Sequence, residues 1–205
     1  GELIHIGGDE TPRKKWSECP DCQALMKKEG MTEEAQLQSW ITTKVENYLE
    51  TKGKRIIGWD EVLEGGVSTK CVVMSWLKGS VGGQKAAGLG NDVIMTDKYH
   101  CYFDCYQTDT REGELFAHKR NIPLEKVWSY NPIGGMDDAS ASHVLGVQCN
   151  TWTEHISSMD RVYFMNLPRM AALAEVAWST PASLSGYQDF LQRLQSSLIP
   201  IYQAA

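Results

Sequence analysis

The chain has 205 residues, 42% of them hydrophobic and 22% charged, which is a globular composition long enough for one domain with its own core. A formal net charge of −6 leaves no basic footprint, so neither nucleic acid nor an anionic membrane is an expected partner, and no apolar run reaches bilayer length. Seven Trp and eight Tyr exceed what a core of this size requires, and such side chains offer a flat apolar face with one polar handle.

The first element is an apolar strand in "ELIHIGGDETP" (residues 2–12), which runs into two glycines and two adjacent acids, Asp9 and Glu10. Like charges side by side repel, so the pair is either a solvated turn or the working part of a cleft. A polar loop is expected over residues 11–32, rich in Lys, Pro and Cys. Within it Cys19-Pro-Asp-Cys22 has metal-knuckle or redox spacing, but no second Cys or His pair follows at zinc-site distance. A loop-stapling disulfide or two free thiols fit it better, and no metal site is expected.

The segment 33–53 reads as an amphipathic helix with Thr32 as N-cap and Gly53 as its stop. Its apolar face comprises Leu37, Trp40, Ile41, Val45, Tyr48 and Leu49. Strands follow at "RIIGW" (55–59), "KCVVMSW" (70–76), "DVIMT" (92–96) and "VLGVQCNTW" (144–152), with a small helix near 81–89. Helices close the chain over 157–179, interrupted at Pro168, and over 184–198. Apolar strands alternating with helices imply a parallel sheet covered on both faces. In such folds ligand sites gather at the carboxyl ends of strands, where this chain places Asp9, Glu10, Trp59, Trp76 and Trp152 and the stretch "YHCYFDCYQ" (99–107). Five strands are fewer than an eight-stranded barrel needs. The expectation is therefore a partial (β/α)8 TIM-type barrel of about five C-terminal β/α units, with an open five-stranded α/β sheet as the competing fold.

The blocks "HIGGDE" (5–10), "GWDEVLEGG" (58–66), "VVMSW" (72–76), "YFD" (102–104), "NTWTE" (150–154) and "PRMAALAEVAW" (168–178) occur in an order that resembles glycoside hydrolase family 20, the β-N-acetylhexosaminidases. The resemblance implies exo cleavage of terminal N-acetylglucosamine or N-acetylgalactosamine with retention, and without a cofactor. This family is among the exceptions to the two-carboxylate pattern, because the substrate's own 2-acetamido oxygen is the nucleophile. It implies Glu10 as general acid and then base in a buried setting, Asp9 as orienter of the acetamide N–H, and Tyr102 as donor to the attacking oxygen. It further implies Trp59, Trp76 and Trp152 as apolar walls, and Asp104 and Glu154 as acceptors for the hydroxyls at carbons 4 and 6. His5 is expected to be a satisfied strand histidine rather than a catalyst, Asp60 and Glu61 to be ordinary loop acids or local hydrogen-bond acceptors, and Glu175 to pair with a buried cation. On this reading residues 1–205 are the C-terminal portion of a catalytic domain whose N-terminal strands are absent. The isolated chain would then self-associate through uncovered edges, and a non-catalytic sugar-binding fragment is the alternative. A secreted or periplasmic location is implied by the family alone.

Overall fold

The computed structural model describes residues 1–180 and 186–204. In chain order the elements are β1 (Leu3–His5), α1 (Lys14–Glu18), α2 (Pro20–Glu29), α3 (Ala35–Glu50), β2 (Arg55–Trp59), β3 (Val72–Ser75), α4 (Val81–Gly88) and β4 (Val93–Met95). There follow β5 (Cys105–Tyr106), β6 (His118–Asn121), α5 (Leu124–Trp128), α6 (Asp138–Ala141), β7 (Val144–Val147), α7 (Met159–Asn166), α8 (Arg169–Trp178), α9 (Tyr187–Arg193) and α10 (Ile199–Ala204). They fall into two compact units, the first made of residues 1–95 and 133–146 and the second of 96–132 and 147–205.

The first unit is built on a sheet of order β1-β2-β3-β4-β7, and β1 to β4 pair in parallel. Its strands are apolar runs because both faces are covered: Ile56, Val72, Val73, Val93 and Met95 are almost wholly buried. The pleat sends alternate side chains to opposite faces. One face therefore gathers Ile57, Trp59, Val72 and Met74, against which Leu3, Trp76 and Ile94 pack. α3 lies on β2, and α4 on β3 and β4.

α3 corrects the expected helix face. Its buried residues are Ala35, Leu37, Gln38, Thr42 and Glu46, whereas Ile41, Val45 and Tyr48 are exposed. Two of these polar residues can face inward because their ends have partners: the Gln38 amide donates to Gly8 O (2.7 Å), and Glu46 Oε1 accepts from Ser68 Oγ (2.6 Å). The start of the helix differs too. Thr32 is not its cap; instead Gln36 Oε1 reaches back to accept from the Thr32 and Glu33 amides at 2.7 and 3.0 Å. Its end is as expected, with Gly53 at φ 66° and the Lys54 amide donating to Leu49 O at 3.0 Å. The expected loop over 11–32 is likewise corrected, since it holds α1 and α2. Pro20 opens α2 and Gly30, at φ 71°, closes it.

The second unit holds the parallel pair β5–β6 and helices α5 and α7 to α10, with α5 packed on α8. Phe103, Ile122, Val127, Met165, Ala172 and Phe190 form its core. The chain does break at Pro168, between α7, capped by Ser158 Oγ accepting from the Arg161 amide at 3.2 Å, and α8. The strand expected over 144–152 is shorter, ending at Val147, and Asn150 instead makes an isolated bridge to Tyr102. Of the helix expected over 184–198, residues 184 and 185 lie outside the described residues, and α9 begins at Tyr187. Glu175 does pair with a cation, Arg193 at 2.9 Å, but that guanidinium is half exposed rather than buried. No helix among the described residues is long and apolar enough to cross a membrane.

Candidate active site

In the first unit the acid pair sits on a turn that runs through positive φ at three residues. Gly7 and Gly8 have φ of 73° and 99°, and Glu10 itself has φ 46°, a region that a non-glycine residue enters at a cost. At Gly8 a Cβ would lie 2.7 Å from Val62 Cγ1, so any side chain there would collide with the next β/α connection. The turn is pinned from several directions. Gly7 O accepts from the Trp59 amide (2.9 Å), the Gly7 amide donates to His5 Nδ1 (3.0 Å), and Gly8 O takes the Gln38 amide. His5 is thus a local hydrogen-bonding residue, as expected, with its ring 5.0 Å from that of Trp59.

Asp9 and Glu10 are both exposed on this turn, which corrects the expectation of a buried Glu10. The physical reason is that β1 is the edge strand, flanked by β2 on one side only. Beside the turn Trp59 is buried and Trp76 half-buried, their rings 6.3 Å apart and edge-on. Two aromatic faces therefore stand at the carboxyl ends of β2 and β3.

Of the two roles expected of Asp60 and Glu61, ordinary loop acid or local hydrogen-bond acceptor, both residues take the second. Glu61 Oε1 accepts from the Glu10 amide (3.3 Å) while Oε2 accepts from the Trp76 indole N–H (2.9 Å). One carboxylate thus ties the backbone of the proposed acid to an aromatic wall. Asp60 is buried, and its Oδ2 accepts from Ser75 Oγ and from the Leu77 amide, both at 3.3 Å. Burial, aided by the Glu61 charge, pushes the Asp60 carboxyl up from 3.8 to about 6. The folded-state value lies above the unfolded one, so the native state is the better proton binder between them. Asp60 therefore favours folding fully below about pH 4, and that contribution is lost as pH rises through about 6. Asp60→Asn keeps an acceptor for Leu77 and Ser75 but cannot titrate. Thermal midpoints of the two proteins should diverge by a few degrees between about pH 4 and 6, the variant holding steadier; parallel curves would contradict the assignment.

In the second unit Tyr102 is buried, with its backbone held by the Asn150 bridge: the Phe103 amide donates to Asn150 O (2.7 Å) and the Asn150 amide to Cys101 O (2.8 Å). Trp152 is 43% exposed, and its ring centroid is 6.5 Å from that of Tyr102. Asp104 is buried 3.5 Å from His118 Nε2, and its Oδ1 has no hydrogen-bond partner. Burial raises its carboxyl despite the opposing His118 charge, and Glu154, exposed nearby, adds to the rise. His118 was not foreseen; it lies on β6, a polar strand that no apolar pattern marks.

Arg169 was also not foreseen. Wholly buried at the start of α8, it donates to the carbonyls of Phe103 (2.6 Å), Cys105 (3.1 Å), Ile122 (3.2 Å) and Met165. It therefore braces the peptide that carries Asp104 from both sides. Asp97 is buried and paired with His100 at 2.5 Å.

The model of the glycosyl hydrolase family 20 catalytic domain matches residues 1–181. The β-hexosaminidase of Porphyromonas gingivalis is 40% identical over 201 residues, 97% of this chain and 26% of that protein. The β-hexosaminidase of Vibrio furnissii is 36% identical over 84% of this chain and 28% of its own length. The chain thus spans only about a quarter of the length of these two relatives. Among solved structures, the GH20 exo-β-N-acetylglucosaminidase of Vibrio harveyi, in complex with N-acetylglucosamine, superposes with a TM-score of 0.86 at 33% identity, covering 97% of this chain and 31% of that one. The parallel β/α succession is accordingly part of a (β/α)8 barrel rather than a freestanding open sheet, and no closed barrel forms among the described residues. Sharing that fold and a model match over most of its length, the chain belongs to glycosyl hydrolase family 20, within the catalytic domain.

Proposed function

We propose that the protein carrying this chain is an exo-acting β-N-acetylhexosaminidase that retains anomeric configuration and uses its substrate's acetamido group as nucleophile. The observation that carries the reading is the Gly7–Glu10 turn. It presents two adjacent carboxyls beside Trp59 and Trp76, with no third acid at nucleophile spacing required.

In the first step the acetamido carbonyl oxygen bonds to the anomeric carbon as the bond to the leaving oxygen breaks, and Glu10 gives its proton to that oxygen. Asp9 accepts the acetamide N–H and balances the positive charge of the resulting oxazolinium ion. Tyr102 donates to the attacking oxygen and so holds it in line. In the second step Glu10, now a carboxylate, takes a proton from water as the water oxygen bonds to the anomeric carbon and reopens the ring. Trp59, Trp76 and Trp152 offer apolar faces to the acetamido methyl and the sugar C–H surfaces. Asp104 and Glu154 accept from the outer hydroxyls. The partnerless, buried Asp104 Oδ1 supports that role, because such an oxygen gains most from a donor that arrives with the ligand. The substrates on this reading are glycans ending in N-acetylhexosamine.

The test compares chromogenic β-glycosides bearing a 2-acetamido or a 2-hydroxyl group. Intramolecular attack reaches effective molarities of about 10⁵ M or more, so kcat/KM should favour the acetamido sugar by at least about 10³-fold. Equal rates on the two sugars would end the substrate-assisted reading. Binding without turnover would favour the sugar-binding alternative.

A further inference from the structure

We propose that Cys19 and Cys22 form a reversible dithiol, a site for thiol–disulfide exchange with small-molecule disulfides, built on the first turn of α2. Cys19 immediately precedes the helix with extended backbone (φ −85°, ψ 117°); Pro20 and Asp21 occupy the next positions, and Cys22 lies one turn along. Neither a helix start nor a single thiol makes a redox site. Two thiols at this spacing do, because a CxxC pair can close within the Cα separation a disulfide spans.

The six cysteines are all free thiols, and they differ sharply in surroundings. Cys71, Cys101 and Cys105 are buried and Cys149 half-buried, and burial pushes each thiol up, Cys71 to about 12. A thiol held neutral is a poor nucleophile. Cys19 and Cys22 are partly exposed instead, at the end of a ten-residue helix whose first amides have no intrahelical acceptor. The Cys22 amide and thiol hold the Cys19 thiol below its ordinary value, against the opposing Asp21 charge, while Cys22 is raised in return. Cys19, placed ahead of the helix beside its unpaired first amides, is the thiol set to attack, and Cys22, one turn along, the one to resolve. Among the described residues no group of three or more His, Cys, Asp or Glu could hold a metal there.

The chemistry balances with a disulfide such as oxidised glutathione as oxidant. Cys19 thiolate attacks one sulfur, forming a mixed disulfide and expelling the first glutathione thiolate. Cys22 then loses its proton and attacks Cys19 Sγ, closing the Cys19–Cys22 bond and releasing the second glutathione. The pair is oxidised by two electrons and the glutathione disulfide reduced by two.

The test equilibrates the intact protein in buffers of graded reduced-to-oxidised glutathione ratio, followed by acid quench, alkylation and peptide mapping by mass spectrometry. The peptide holding both residues should lose two hydrogens, be half converted within the glutathione range, and revert on return to reduced buffer. Cys22→Ser should trap glutathione on Cys19, and Cys19→Ser should react at Cys22 at least tenfold more slowly. Three results would each overturn the proposal. These are a wild-type glutathione adduct without an internal bond, equal reaction of the two variants, and a Cys19–Cys22 bond that reduced glutathione cannot open.

Discussion

Replacing Glu10 by Gln is expected to lower kcat on an N-acetyl-β-glucosaminide by about 10²–10⁴-fold, the usual worth of one general acid–base group, with KM changed only slightly. The substitution is isosteric and Glu10 is exposed, so the fold should not suffer. What the turn needs from this residue structurally is its backbone, at φ 46° with the amide on Glu61, and glutamine supplies both. The proton is what is lost. The defect should therefore depend on the leaving group. A poor leaving group needs protonation and should show the full loss. A dinitrophenolate departs without help, so the remaining loss should come from the water step alone, and an added anion such as azide should recover part of it. Steady-state rates on the two classes of glycoside measure this. Wild-type rates in the variant on both would remove Glu10 from the mechanism.

Glu61 makes a contrasting case, since its carboxylate joins the Glu10 amide to the Trp76 indole. Both partners are donors. It therefore works as a double acceptor that sets where the turn and the Trp76 ring stand. Asp60, its neighbour, is occupied with Ser75 and Leu77. Of the four acids in the two strand-end blocks, Asp9 and Glu10 are thus the pair left facing outward.

How much of this could be read from the residues depends on the range of the force involved. "RIIGW" and "VVMS" declare buried strands because covering both faces leaves no room for polar alternation, and both elements fall where expected. The acid pair, Trp59 and Trp76 were legible as strand-end residues for the same reason, whereas Trp152 lies beyond the end of β7 at Val147. In α3 the apolar stripe predicts the wrong inward face. Gln38, Thr42 and Glu46 are buried instead, and two of these polar ends are satisfied by partners 22 or 30 residues distant, at Ser68 and Gly8. Periodicity carries no information about such partners. Pro20 and Gly30 bracket α2 with the usual start and stop chemistry, whereas its polar composition predicts a loop. Glu61 sits 51 residues from Glu10, and Arg169 is 64 and 66 residues from two of its acceptors, so no local pattern could have assigned either.

Arg169 is where the second unit should prove most vulnerable. Its guanidinium is buried yet remains a cation at neutral pH, since burial lowers it only to about 10. Its charge is spread over carbonyls of Phe103, Cys105, Ile122 and Met165, and its plane stands 4.8 Å from the Phe103 ring. Arg169→Met preserves approximate volume and the contact with Phe103 but strands the Phe103, Cys105 and Ile122 carbonyls without a donor. Each such orphan costs about 1–3 kcal/mol, so three together approach the 5–15 kcal/mol that holds a typical domain folded. The variant should be unfolded or have lost several kcal/mol in urea titration. Arg169→Lys keeps the charge but presents donors from a single nitrogen that cannot span all the acceptors, so it should fall between the two. A methionine variant within about 0.5 kcal/mol of wild type would show that the carbonyls find other partners. Because Phe103 O and Cys105 O flank Asp104, the lysine variant also separates stability from geometry. If the brace positions Asp104, catalytic efficiency should fall in the lysine protein even at temperatures where it is fully folded.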